Sequence, residues 1–470
     1  MPQEEITERD RFPLLDERGR RMLDGLRQHP HAPKFNYHCG EKLTVEGLQR
    51  VRDFAGELQQ PPAWSATRYP DWLLDHVRHC WSDVPYFRQR DQALRPTQSV
   101  PSEQPDDIPF NAIPFTDRHD LRRQPWSFVP DSADLSELIV YSTSGTTGNL
   151  LPVICDPSVP ASYLPLFELA LAEHGLRIDG GERVSILHMA AQRSTYTLMS
   201  AMSYFGGAGF AKINLNPAEW RTPEDREAFI DDCNAEIYTG DPFAYVELSK
   251  LKLRTRPKAI LSSATALLPA VKEQLESRFQ CPVIDVYSMN ETGPIAYTWR
   301  DHRRIFPHRL YVEIVDAAGQ IVANGELGEI VVTGGINPWM PLLRYRTGDM
   351  GALEFIDGRP ALVQLQGRTP VDFFRQDGSI VRSIDVTVAL FHIPLPVFRL
   401  HQHVDGSLRF STLCNPSISK QVSSRLEELF GSTPLAIEQL AEDVAWEGKS
   451  IQYTSEFQPG EFQSTESHSP

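Results

Sequence analysis

Apolar residues recur at helical spacing over 70–90, where Trp72, Leu73, Val77 and Trp81 fall on one face. That spacing predicts a helix, with Val84-Pro85-Tyr86-Phe87 ending it. A second helix is predicted over 44–58, inside an otherwise loose and charged N-terminal arm. Prolines at 96, 101, 105, 109 and 114 predict an extended linker over 95–115. From residue 136 the pattern changes to short apolar runs at 138–141, 183–188, 259–262 and 283–286. Helical stretches separate them, including 269–279 with Val271, Leu275 and Phe279 on one side. Strands alternating with helices predict an α/β unit with buried, largely parallel strands.

Residues 309–366 read differently. Runs at 311–315, 328–332, 352–355 and 361–364 are short strands divided by Gly and Asp turns, which predicts a β subdomain. Beyond Gly367, runs at 397–404 and 407–413 flank Asp405-Gly406, a two-residue hairpin signal. A helix follows, with Val422, Leu426, Leu429 and Phe430 on one side and Gly431 as its stop. The expected fold is therefore α/β. A large N-terminal domain has mixed parallel sheets and a β subdomain, and a small mobile α+β domain follows. Its parts are an arm and linker at 1–135, a core at 136–367, the small domain at 368–458, and a polar tail at 459–470 expected to be disordered.

Composition narrows the partners. The 470 residues carry 46 Lys and Arg against 62 Asp and Glu, a formal charge of −16. Such a chain repels phosphate backbones and anionic lipid, so nucleic acid and membranes are poor candidates. The cysteines at 39, 80, 155, 233, 281 and 414 form no Cys-x-x-Cys pair, so reduced thiols in a cytoplasmic protein are expected. No apolar run approaches a membrane span, and the charged first twenty residues do not resemble a signal peptide.

The densest chemical signal is Tyr141-Ser142-Thr143-Ser144-Gly145-Thr146-Thr147-Gly148, directly after a strand. Small and hydroxyl residues packed this closely give a loop whose amides and hydroxyls can face phosphate oxygens. A Walker loop would continue with Lys and Ser or Thr, and Asn149-Leu150 stand there instead.

Thr143 to Gly148 resembles the phosphate loop of the adenylate-forming superfamily, which includes acyl-CoA synthetases, adenylation domains and luciferases. Further matches follow in family order. Tyr287-Ser-Met-Asn290-Glu291-Thr-Gly293 resembles the aromatic-x-x-Thr-Glu motif. The resemblance implies that Tyr287 stacks on adenine and Glu291 holds Mg²⁺, with Thr146 as a second metal-side residue. Asn290 replaces the usual Thr. Leu343-Arg-Tyr-Arg-Thr-Gly-Asp349 resembles the motif whose Asp holds the ribose hydroxyls, and Arg368 begins the hinge motif. Gly325-Glu-Leu-Gly-Glu-Ile330 matches a turn of the same family. Within the superfamily, Val84 to Arg88, Ile113 to Asp117 and Leu310 to Asp316 resemble the phenylacetate–CoA ligase branch. Some of its members hold zinc on cysteines between these motifs. This chain has none between Cys281 and Cys414, so no such zinc is expected.

The resemblance implies ATP-dependent activation of a carboxylic acid as an acyl-adenylate, with release of pyrophosphate. Two anions must meet, so neutralising cations should dominate the catalysis. The family's late lysine corresponds to Lys449 in Trp446-Glu-Gly-Lys449-Ser450. Family ligases then swing the small domain about a pivot just after the hinge Arg. Here Pro370 stands at that pivot, with Asp372 as an alternative. Proline fixes its own φ and biases Thr369 to extended forms, which suits a rotating hinge poorly. The acceptor is therefore open: an amine, a hydroxyl, a carrier protein, a partner reductase, or CoA as in an aryl- or phenylacetate-type ligase. A non-catalytic nucleotide-binding relative is the remaining alternative. The acid pocket is expected around His188, Tyr204, Phe205, Gly206, Gly207, Ser263 and Ala264. Aromatic rings beside small residues suit a flat, ring-bearing acid.

Overall fold

A computed structural model describes residues 6–60, 64–66, 68–94, 110–142, 151–367, 371–390, 392–395, 397–413, 416–440 and 451–457. The strand Val283–Met289 organises the large domain. Its first half pairs in parallel with Ala259–Ser262, and its second half pairs antiparallel with Gly293–Trp299. One hydrogen-bonded sheet of twelve strands results.

The parallel half runs Ala208–Asn214, Val184–Ala190, Ile237–Gly240, Ala259–Ser262 and Val283–Met289, with Leu198–Met202 antiparallel at the edge. Its middle strands are short, apolar and buried at every position, as expected of strands covered on both faces. One face carries Leu187, Ile213, Tyr238 and Ile260 against Phe229, Tyr245 and Leu275 from three helices, Asp225–Cys233, Pro242–Ser249 and Pro269–Phe279. The other carries Ile186, Ile237 and Leu261 against Leu166 and Ala170 of the helix Tyr163–Ala172. Local chemistry sets the helix ends. Asp241 caps Pro242–Ser249 by accepting from the Ala244 amide at 2.8 Å. Pro269 opens its helix, where its missing N–H has no helical partner to lose.

The antiparallel half continues outward as Gly293–Trp299, His302–Ile305, Arg359–Gln366, Leu342–Ile356, Gly328–Gly334 and Leu310–Val315. This is the expected β subdomain, continuous with the parallel half. Leu342–Ile356 is far longer than the predicted 352–355, because its polar first half is buried on paired side chains. Val84 ends the first of these helices as expected, and a second one follows at once. Trp72–Asp83 stops at Val84, and Pro85 opens a further helix, Pro85–Leu94. The arm also holds the helix Glu17–Gln28, capped by Asp16 and burying Leu23 and Leu26. Its apolar stripe is thin amid charge, so periodicity alone does not reveal it.

In the C-terminal unit, Phe398–Gln402 and Leu408–Thr412 form the predicted hairpin around Asp405-Gly406. Ile451–Ser455 and Leu435–Gln439 flank it in parallel. The helix Pro416–Phe430 lays Val422, Leu426 and Phe430 into the same core, and Gly431 leaves it at φ 63°. The hinge residues Arg368 to Pro370, Lys449, and the tail 459–470 lie outside the described residues. Among the described residues, no helix is long and apolar enough to cross a membrane.

Candidate active site

Parallel strands point their carboxyl ends to one edge, and ligands of open α/β sheets gather there. Val283–Met289 carries Tyr287 near its end and delivers Asn290 and Glu291 into the turn before Gly293–Trp299. Glu291 is only 3% exposed, so its carboxylate needs partners. Tyr345 donates to its Oε1 at 2.7 Å, and the Arg118 guanidinium stands 3.5 Å from the same oxygen.

Both partners reach Glu291 through one piece of backbone pairing. The Thr116 amide donates to the Arg344 carbonyl at 3.0 Å, and the Arg346 amide donates to the Thr116 carbonyl at 2.8 Å. The segment before the helix Arg118–Arg123 therefore lies alongside Tyr345 as a parallel bridge. Burial, then the neighbouring Glu291 charge, holds the Tyr345 phenol well above its ordinary pKa, so it stays a donor. The same two causes raise the Tyr163 phenol.

Along Leu342–Ile356 successive polar side chains go to different partners. Arg344 forms an ion pair with Glu313 at 3.1 Å, both side chains 1% exposed, and its guanidinium sits 4.1 Å over the Phe115 ring. Arg346 donates to Glu329 Oε2 at 2.5 and 2.8 Å, while the Gly348 amide donates to Glu329 Oε1 at 3.2 Å. The Asp349 amide donates to Thr347 Oγ1 at 3.1 Å, and Tyr287 donates its hydroxyl to Asp349 Oδ2 at 2.8 Å. The structure thus brings Tyr287, Glu291 and Asp349 into one connected site. Burial, then Asp349, pushes the Tyr287 phenol up, so it too remains protonated.

The hydroxyl-rich segment is flanked by a pair of strands. Ile139–Ser142 pairs antiparallel with Pro152–Cys155, with Ser142 opposite Pro152. Its stem is tied to the site: Tyr141 donates to the Asn290 carbonyl at 3.3 Å, and buried Asn337 donates to the Ile154 carbonyl at 2.9 Å. Residues 143–150, with Thr143, Ser144, Gly145, Thr146, Thr147 and Gly148, lie outside the described residues, as do Lys449 and Arg368.

The expected acid pocket divides. Ser263 and Ala264 follow Ala259–Ser262 at the carboxyl edge, where the Ser263 amide donates to the Gly240 carbonyl at 2.9 Å. Ala264 holds φ 74°, a left-handed conformation that costs a non-glycine residue roughly 1–3 kcal/mol. Tyr204, Phe205, Gly206 and Gly207 instead precede Ala208–Asn214, at the amino-terminal edge. A seven-residue strand, ~20 Å of backbone at its usual rise, separates that turn from the carboxyl edge. Tyr204 donates to Glu168 at 2.7 Å, and Gly207 packs on the backbone of Gly19. These four positions are thus corrected from pocket wall to a turn at the opposite edge. They follow the antiparallel strand Leu198–Met202 and precede the parallel strand Ala208–Asn214, and that order is the signal that distinguishes the two. His188 lies mid-strand and shares a hydrogen bond with Thr239 Oγ1 at 2.9 Å; burial, then Lys212, pushes its pKa down to about 3, so it is neutral.

Sequence reasoning missed Arg118, Tyr345 and Glu329 as contributors. Two of them sit inside the quoted motifs, and strand alternation from Asp349 would have picked out Tyr345.

Comparison with known proteins finds relatives of this sequence and of its fold. Residues 185–337 match the family model described as AMP-binding enzyme. The phenylacetate–coenzyme A ligase of Aromatoleum evansii is 25% identical over 306 residues, 59% of this chain and 64% of that protein. The Pseudomonas putida enzyme of the same name is 24% identical, over 66% of this chain and 70% of its own length. The match thus spans a little under two thirds of the Aromatoleum protein. A solved 2-hydroxyisobutyryl-CoA ligase, in its postadenylation state, shares the fold with a TM-score of 0.60 at 18% identity, covering 86% of this chain and 89% of that one. Residues 185–337 thus match the AMP-binding-enzyme model, the chain is similar over roughly 60% of its length to phenylacetate–coenzyme A ligases, and its fold is that of a solved CoA ligase.

Proposed function

We propose that this protein activates a carboxylic acid, of aromatic type, with ATP to give an acyl-adenylate and pyrophosphate, and then passes the acyl group to an acceptor. The observation that carries this reading is the connected set Arg118, Tyr345, Glu291, Tyr287 and Asp349, at the carboxyl edge and beside the stem of the 143–150 loop.

A carboxylate is a poor electrophile, and adenylation gives it a good leaving group. Tyr287 orients Asp349 toward the ribose hydroxyls while its ring faces the base. Tyr345 and Arg118 fix one oxygen of Glu291 and leave the other for a cation. One carboxylate plus substrate phosphates and waters suits Mg²⁺, so the residues present fit that ion. Glu291 and Thr146 would hold it, and when bound it would neutralise charge on the triphosphate. Lys449 serves the same charge from the small domain.

The acceptor is the second half of the proposal. Directly after the hinge, the Val371 amide donates to Ser383 Oγ at 3.1 Å, and Asp372 pairs with Arg382 in a two-stranded ladder. Asp372 is therefore held, which leaves 368–370 as the pivot and supports an acceptor other than CoA. The relatives' names favour the second reading, an aryl-CoA ligase. Exchange of labelled pyrophosphate into ATP, across a panel of aromatic and aliphatic acids, tests the first half. Exchange with no acid at all overturns it. Rapid-quench kinetics with CoA test the second: acyl-CoA formed as fast as adenylate removes the hinge argument.

A further inference from the structure

The C-terminal sheet carries a cluster that the adenylation reading does not use. Side chains alternate along a strand, so His401 and His403 share the outer face, while Phe398, Leu400 and Gln402 are buried. Thr454 is the in-register partner of His401, and Glu456 lies two residues further on the same side. One ligand atom from each of His401, His403 and Glu456 lies within 4.8 Å of the other two. The two imidazole rings stand 4.5 Å apart, and His401 Nε2 is 3.7 Å from Glu456 Oε2.

The backbone fixes all three positions. The His403 amide donates to the Ser407 carbonyl at 2.9 Å across the hairpin turn, and the Glu456 amide donates to the Gln402 carbonyl at 2.9 Å. Gln402 between the histidines donates to the carbonyls of Phe374 and Gly406. His401 Nδ1 and Thr454 Oγ1 are 2.8 Å apart. With Nδ1 as donor, the Nε2 lone pair faces Glu456 and His403. An imidazole oriented through its other nitrogen is the usual arrangement of a metal ligand.

The geometry points to a binding site for a divalent transition metal ion of the zinc class, formed by His401, His403 and Glu456. Two imidazoles and a carboxylate suit Zn²⁺, with a water completing a tetrahedron. Ligand atoms of such a site stand roughly 3.3 Å apart, and exposed Glu456 has the freedom to close the remaining gap. Bound metal would staple the hairpin strand Phe398–Gln402 to the end of Ile451–Ser455. That strand directly follows the segment with Lys449.

The test uses the tag-free full chain, stripped with chelator and titrated with ZnCl₂ by calorimetry. One Zn²⁺ per chain is expected, with His401→Ala and His403→Ala each weakening it at least about tenfold and Thr454→Ala about 10–100-fold. Co²⁺ should give the visible bands of a tetrahedral site in the wild type and none in His403→Asn, whose turn position tolerates the change. Absence of binding below millimolar Zn²⁺, or wild-type affinity in both histidine variants, overturns the proposal. Neither readout depends on adenylation, so the two proposals fail separately.

Discussion

Tyr345 donates its phenolic proton to Oε1 of Glu291 at 2.7 Å, in a site where the carboxylate is almost sealed from water. A buried carboxylate that loses a donor is left with an unmet desolvation cost of about 1–3 kcal/mol. Tyr345→Phe is therefore expected to lower stability by that amount, read by urea denaturation. It should also slow pyrophosphate exchange, because Glu291 is then held by Arg118 alone. Glu291→Ala should abolish Mg²⁺-dependent exchange. A Tyr345→Phe enzyme with wild-type stability and exchange would remove Tyr345 from the site.

Tyr287→Phe keeps the ring and deletes the hydrogen bond to Asp349. If Asp349 holds the ribose, KM for ATP should rise several-fold with kcat nearly unchanged, the pattern of lost uniform binding. Asp349→Ala should raise it further. Equal losses in kcat and kcat/KM would instead place Tyr287 in transition-state stabilisation.

Lys449→Ala should slow adenylation by about 10²-fold or more, the usual cost of removing a preorganised charge stabiliser. Single-turnover formation of acyl-adenylate is the measurement. An unchanged rate would assign that role to another cation.

Burial raises the Glu313 carboxyl from 4.5 to about 6, with Arg344 pulling the other way. Its folded pKa is above its unfolded one, so its contribution to stability is complete below pH 4.5. That contribution is lost as pH rises through about 6. Carboxyl infrared bands or Glu-selective NMR should place the midpoint near 6. Arg344→Met removes the opposing cation, so the midpoint should rise and the loss should extend to higher pH. A midpoint near 4.5 in the wild type would contradict this.

Gly207 has φ 83°, and a Cβ there would lie 3.0 Å from the Gly19 amide nitrogen. Gly207→Ala should cost about 1–3 kcal/mol of stability through strain. It should leave KM for the acid unchanged, because the turn lies at the edge opposite Glu291. A large rise in that KM would restore the turn to the pocket.

Much of this was legible in the chain itself. Helices such as Pro269–Phe279 and the hairpin around Asp405-Gly406 carry their own periodicity and turn chemistry. The motif residues Tyr287, Glu291 and Asp349 fall together as expected. Leu342–Ile356 was hidden because Arg344, Arg346 and Thr347 look like surface residues until Glu329 and the Ile330 carbonyl come across from the adjacent strand and Glu313 from the strand beyond it. Such partners are distant in sequence, and no local pattern encodes them. The error at Phe205 to Gly207 has another origin. Composition places aromatic rings beside small residues, but strand direction decides which edge such a segment occupies.

The double pairing of Val283–Met289 gives the sheet a mechanical linkage. Any exchange that displaces Ala259–Ser262 must drag Val283, Ile284 and Asp285 with it. The same strand then tilts the turn holding Glu291, because no loop intervenes to absorb the motion. Substitutions along Ala259–Ser262 are therefore expected to reach the turn holding Glu291, so that on the proposed function selectivity for the acid changes together with affinity for the nucleotide.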